Sequence, residues 1–202
     1  MSPKWRVRIL IGLVVAVVAA AIYLPVLKKR VKRQAQVQQK SEEQARRELT
    51  QSLNANSNEP KVKAKLYWAA DGDDSGLSST TVELPLSNDP TLRAKQVLNT
   101  LLAGPVDSEL KTLPSDAALL AFYILPDGTG VADFSEAMTT SIPSGIQSEQ
   151  LAVDSIARTL SENVPQVKQL KILIHGQEVE TLAGHLDLTG TFPVNANIPA
   201  KK

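Results

Sequence analysis

The chain has 202 residues and no cysteine, which gives room for one domain of ordinary size with appendages and excludes a disulfide framework, a thiolate metal site, a cysteine nucleophile and a lipid-bearing N-terminal cysteine. Its near-balance of 22 Lys and Arg against 21 Asp and Glu hides an asymmetry: residues 1–60 carry eleven basic and four acidic side chains, net +7, and residues 61–202 carry eleven and seventeen, net −6. An acidic C-terminal part without a basic stripe is a poor partner for phosphate backbones and argues against nucleic acid.

After a basic tail at residues 1–8, residues 9–27 (ILIGLVVAVVAAAIYLPVL) hold no charge. As a helix they would span about 28 Å, the thickness of a bilayer's hydrocarbon core, so a single-pass transmembrane helix is expected, with Trp5 and Tyr23 near its ends. A cleaved signal peptide ending at Ala19-Ala20-Ala21 is the rival reading, but it would leave apolar Ile22 to Leu27 as the mature N-terminus. The residues after the span (Lys28, Lys29, Arg30, Lys32, Arg33) are more basic than those before it (Lys4, Arg6, Arg8). Taken alone, the positive-inside rule therefore favours a cytoplasmic C-terminal part. Residues 28–60 are charged and Gln-rich with few large apolar side chains, which suits a solvated stalk rather than a core.

From residue 61 the hydrophobic pattern becomes periodic. Residues 62–68 alternate with a strand's period of two, and residues 80–86 do so again with Val82, Leu84 and Leu86 on one face. Asp89-Pro90 reads as an N-cap and first-turn proline, and Ala94, Val97, Leu98, Leu101 and Leu102 form an apolar helix stripe that ends at Gly104-Pro105. Residues 117–125 and 129–134 flank the turn sequence Pro126-Asp127-Gly128, the pattern of a hairpin. A second amphipathic helix is expected over residues 147–162, with Val153, Ile156, Ala157, Leu160 and Val164 on one side and Pro165 as its stop. Residues 167–174 read as a strand that turns at His175-Gly176 and returns through residues 179–182. The order ββ-α-ββ-α-ββ predicts an α+β domain at 61–190, a mostly antiparallel sheet with two amphipathic helices on one face, and a tail at 191–202.

Three segments in this order, LLAGP at 101–105, DGTGVADFS at 127–135 and VKQLKILIHGQEVETLAGHLDL at 167–188, resemble the GerMN domain of sporulation and spore-germination proteins. The resemblance covers about 62–190 in a single copy. It implies a module outside the cytoplasmic membrane of bacteria, in the periplasmic or outer space of the cell envelope. There it would act through contacts with envelope proteins, with peptidoglycan or with its own copies, without catalysis. Arg158 stands where an asparagine is common in the family.

The residues offer little for chemistry. Asp71 to Gly76 (DGDDSG) imitates the first half of a calcium loop, but Val82 stands at position twelve where a bidentate Glu is needed, and Glu83 is one place out of register, so an inter-strand loop is expected. His175 and His185 would need Glu178 or Asp187 to make a zinc site, without helical spacing to gather them. Asp133 and Glu136 imitate an acid/base pair, yet Asp-x-x-Glu at the end of a strand also reads as a capping box for a short helical turn. Gly128-Thr129-Gly130 lies inside a hairpin, where a dinucleotide motif has no helix to open. Tyr67 and Tyr123 are expected to pack in the core, with a partner surface as the other reading. No catalytic, cofactor or metal residue is therefore assigned, and the expectation is an envelope binding or assembly module. A cell-wall glycan hydrolase and a small-ligand sensor are the alternatives.

Overall fold

The computed structural model describes Lys40 and residues 61–71, 73–105 and 110–194. The chain divides into two compact units, Met1–Glu43 and Gln44–Lys202, and the fold below is that of the second. The transmembrane helix expected at 9–27 and the stalk at 28–60 lie outside the described residues. Among the described residues no helix is long and apolar enough to cross a membrane.

The unit is α+β. Strands β1 (Lys61–Ala70) and β2 (Asp73–Pro85) are followed by helix α1 (Pro90–Ala103), then β3 (Leu119–Ile124), β4 (Thr129–Phe134), a one-turn helix α2 (Ala137–Thr140), α3 (Ile146–Asn163), β5 (Gln169–Ile174) and the two-residue β6 (Phe192–Pro193). Local chemistry sets several of these boundaries. Asp89 caps α1 by accepting the Leu92 N–H at 2.8 Å, with Pro90 in the first turn, and Gly104 at φ 81 closes it. Gly128 at φ 89 supplies the left-handed residue of the β3–β4 turn. Gly130 is required by closeness instead, because a Cβ there would lie 2.8 Å from Phe122 Cζ and 2.9 Å from Val167 Cγ1. The glycines of the Gly-Thr-Gly segment thus serve a turn and a tight packing contact.

One mostly antiparallel sheet is not what forms. β1 and β2 pair antiparallel as a sheet of their own, and the other four strands are ordered β3-β4-β5-β6 with β4 and β5 parallel. The connection explains the parallel pair: α2 and α3 intervene between β4 and β5, a crossover that returns the chain to the same end of the sheet. The β1–β2 pair stays separate because the outer edge of β1 is already occupied by α3. Asn163 accepts the Lys65 N–H at 3.1 Å and donates to the Lys65 carbonyl at 2.7 Å. One and two turns earlier, Thr159 Oγ1 accepts the Tyr67 N–H at 3.2 Å, and Ser155 Oγ donates to the Tyr67 carbonyl at 2.8 Å. Three short polar side chains at i, i+4 and i+8 thus take the place of a neighbouring strand.

Two further expectations are corrected. Residues 71–76 are not wholly an inter-strand loop, since β2 already begins at Asp73, paired with Ala70; the register then slips, with Ala69 paired to Leu77, so residues 74–76 bulge without partners on β1. Residues 179–182 do not form the returning strand; β5 is followed by a tight turn, with His175 at φ 50 and Gly176 at φ 72, and then by an irregular strap. In that strap only single bridges form, Ile174 to Gln177 and Thr181 to Asp187, and pairing with β5 resumes at Phe192–Pro193. Its main-chain groups are drawn elsewhere, as shown below.

Both sheets and both long helices share one apolar cluster. Leu66, Leu98, Leu101, Phe122, Phe134, Met138, Ile156, Leu160, Leu170, Ile172 and Leu182 are fully buried in it. The strap contributes Leu182 and Leu188, and Val194 after β6 is buried too, so the packed fold runs through residue 194. At about 25 cal/mol per Å² of apolar surface removed from water, this cluster is the main stabilising contribution.

Candidate functional site

The chemistry of the domain concentrates where the first turn of α3 meets the strap. Glu149 lies on the helix stripe that also holds Val153, Ile156, Ala157 and Leu160, and its side chain is fully buried. A buried carboxylate is costly unless its oxygens are satisfied, and here they are. Oε2 accepts the N–H groups of Ala183 (3.1 Å), His185 (3.1 Å) and Leu186 (2.8 Å). Oε1 accepts the Gly145 N–H (3.3 Å) and lies 2.8 Å from His185 Nδ1. Burial pushes the Glu149 pKa up, but the hydrogen bonds from Leu186, Ala183 and both the ring and main chain of His185 outweigh it and hold the group at about 2. Its place at the positive end of the helix dipole adds to the same effect. These bonds withdraw three consecutive-region N–H groups from any strand ladder, which is why the strap is irregular.

Because a charged carboxylate only accepts, the proton of the contact must sit on His185 Nδ1. The ring's other nitrogen, Nε2, has no partner among the described residues, on a side chain 47% exposed.

The other sequence-marked residues are dispersed. Asp133 and Glu136 do not form a capping box: Asp133 Oδ1 accepts the Gly176 N–H at 2.7 Å across to the β5 turn, while Glu136 is itself the N-cap position of α2 and makes no side-chain cap. The positive-φ turn at His175-Gly176 brings that N–H within reach, and the bond outcompetes a local cap. His175 sits at this turn and His185 at the α3 contact, and among the described residues no three His, Asp or Glu side chains gather as metal ligands. Glu178 pairs with Lys171 Nζ at 3.4 Å, and the same ammonium donates to the Leu188 and Thr189 carbonyls at 3.2 and 2.6 Å. Asp187 accepts from the Thr189 hydroxyl and N–H, which together lower its pKa. These contacts again hold the strap.

Tyr123 is at the surface and Tyr67 is half-buried, against the core expectation. Tyr123 is 58% exposed on β3, where Phe122 takes the inward position. Tyr67 donates its hydroxyl to Glu162 Oε1 at 3.3 Å and carries the Arg158 guanidinium 5.8 Å above its ring. Glu162 also pairs with Lys65 Nζ at 3.2 Å, and this bond raises the lysine pKa. Arg158 thus finds a cation–π role of its own on an exposed flank.

Glu149 escaped the sequence reading, although a signal was present: it stands four residues before Val153 on the apolar stripe of the expected helix, a place where a charged residue calls for buried partners.

Residues 65–180 match the model of the Germane family, described as sporulation and spore germination. Among solved structures, the first GerMN domain of the Bacillus subtilis sporulation protein GerM is 28% identical, with a TM-score of 0.52, 65% of this chain covered and 97% of that one. The tandem GerMN domains of the same protein give 28% identity and a TM-score of 0.50, with 64% of this chain and 45% of the tandem covered, so the match spans about one of its two domains. No curated protein matches the chain. The GerMN resemblance and its α+β fold are borne out.

Proposed function

The chain belongs to the Germane family of sporulation and spore germination domains, and from that premise we propose that it is a membrane-anchored, extracytoplasmic binding and assembly module of the bacterial cell envelope, acting by contact and without catalysis. The observation that carries this reading is how the reactive side chains are employed. Glu149 and Asp133 use their oxygens on main-chain N–H groups, while Tyr123 and the Tyr67–Arg158 pair stand on surfaces suited to contact. The uncharged segment at 9–27 followed by a 33-residue polar stretch supplies an anchor and a spacer. A peptidoglycan strand and an envelope protein are both partners of the right kind.

Export is tested by fusing, after Lys202, a reporter that works only outside the cytoplasm. Activity of the fusion supports the reading, and activity of a cytoplasm-only reporter reverses the topology in favour of the positive-inside bias. Anchorage is tested by replacing residues 1–33 with a cleavable export signal, which should impair cellular function while the domain remains folded. Crosslinking the full-length protein in its own membranes then identifies the partner.

One observation favours a second reading. A buried carboxylate that orients a half-exposed imidazole through its Nδ1 is the carboxylate–histidine part of a hydrolytic triad. A hydrolase built on this pair requires His185, whereas the contact module does not.

A further inference from the structure

The two-stranded sheet has two edges, treated in opposite ways. On β1 the outward N–H and C=O groups of Lys65 and Tyr67 are occupied by Asn163, Thr159 and Ser155. Since Lys65 and Tyr67 face away from β2, their partners in register, Thr81 and Ser79, face away from β1, and by alternation so do Glu83 and Leu77. Four residues of β2 therefore present a ladder of main-chain donors and acceptors outward, and among the described residues none of these groups has a partner beyond the sheet. Ser78, Ser79, Thr80, Thr81 and Glu83 are exposed. The usual devices that blunt an edge, lysine and proline, are absent from residues 77–84, while β1 carries Lys61, Lys63 and Lys65.

We infer that the open edge of β2 is an assembly surface that pairs antiparallel with β2 of a second copy, about a two-fold axis through Thr80, to give a four-stranded sheet β1-β2-β2-β1. The inference rests on the assembly reading above and assigns it a surface. Two arguments select a second copy. In this register Ser79 opposes Thr81 and Leu77 opposes Glu83, so the single charge of the segment never meets its like, and the β-branched Thr80 residues meet across the axis. Because β1 is sealed by α3, a sheet with one usable edge closes at two copies instead of growing into a filament. The segment is short, so the interface is small and belongs to the weak, transient class, favoured where copies are concentrated together.

The chain's lack of cysteine makes the test direct. In the proposed register Thr80 forms a non-hydrogen-bonded pair with its own counterpart, and the Cα atoms of such pairs, about 4.5 Å apart, suit a disulfide. Full-length Thr80→Cys, mildly oxidised in membranes of the cells that express it, should give a disulfide-linked dimer that Tyr123→Cys, an exposed thiol on the other sheet, does not give. Adding Thr81→Pro removes an outward N–H and leaves the β1 ladder intact, so the dimer should be lost. Ser79→Lys, which places charge on the edge and leaves every main-chain donor in place, should do the same if the proline variant misfolds. Equal crosslinking at both thiols, absence of the Thr80→Cys dimer, or a dimer that survives both edge substitutions overturns the inference. The readout is independent of cellular function: loss of the dimer with anchorage still required removes only this surface, whereas an active unanchored domain removes the assembly reading itself.

Discussion

Along its C-terminal half α3 holds β1 with three neutral side chains, Ser155, Thr159 and Asn163, whereas its first turn holds the strap with one charged side chain, Glu149. The neutral seam is spread over two residues of β1 and three of the helix, so each contact contributes modestly and none titrates near neutrality. The attachment of α3 to the strap converges on two oxygens of a single carboxylate, which makes it strong and sensitive to protonation. One helix thus fastens a strand that must not slip and a segment that has no ladder to rely on.

Removing the concentrated attachment should have the largest effect. Glu149→Ala leaves several buried N–H groups unsatisfied and should cost about 3–5 kcal/mol, lowering Tm by roughly 10 °C, with faster hydrogen exchange confined to residues 183–186. Next in size is Asn163→Ala, which strips two hydrogen bonds from Lys65 and should cost about 2 kcal/mol. Thr159→Val keeps the shape, loses one bond to Tyr67, and should cost about 1 kcal/mol. Equal losses at Glu149 and Thr159, measured by denaturant unfolding, would break the distinction between concentrated and distributed attachment. Lys65→Met, which breaks an ion pair whose two side chains are both over 40% exposed, should leave Tm unchanged.

Acid sharpens the same contrast. The folded-state pKa of Glu149 is depressed from 4.5 to about 2, so its charge contributes stability that is complete above the ordinary carboxylate range and is lost as pH falls from about 4.5 toward 2. Asp127 and Asp187, both lowered by Thr neighbours, act in the same direction at the surface, and Asp154, raised by burial, acts against them. Chemical denaturation between pH 6 and 2.5 should show a slope in the wild type that Glu149→Gln flattens while Asn163→Ala does not. Parallel slopes in all three proteins would mean that Glu149 is not the acid-labile group.

Much of this was legible in the residues. Asp89-Pro90 and the stripe of Val97, Leu98 and Leu101 gave α1, and Pro126-Asp127-Gly128 gave the β3–β4 turn, because caps and turns are decided within a few residues. The partition into two sheets was not legible, since Ser155, Thr159 and Asn163 read as an ordinary polar face until β1 lies beside them. The strap was mistaken for a strand for a related reason: Val179 and Leu182 alternate as a strand would, but a carboxylate more than thirty positions earlier claims the N–H groups of Ala183, His185 and Leu186. Of the site, the histidines and Asp133 were visible as residue types, whereas their partners, set by long-range pairing, were not.

His185 is where contact and chemistry make opposite demands. The decisive measurement is the cellular function of full-length His185→Ala, with folding checked by circular dichroism and by an unchanged melting profile apart from the loss of one ring contact. If the domain acts by contact, function is retained. Complete loss of function in a folded His185→Ala protein, with Asn163→Ala still active as the control for mild destabilisation, would contradict the account and assign the Glu149–His185 pair to catalysis.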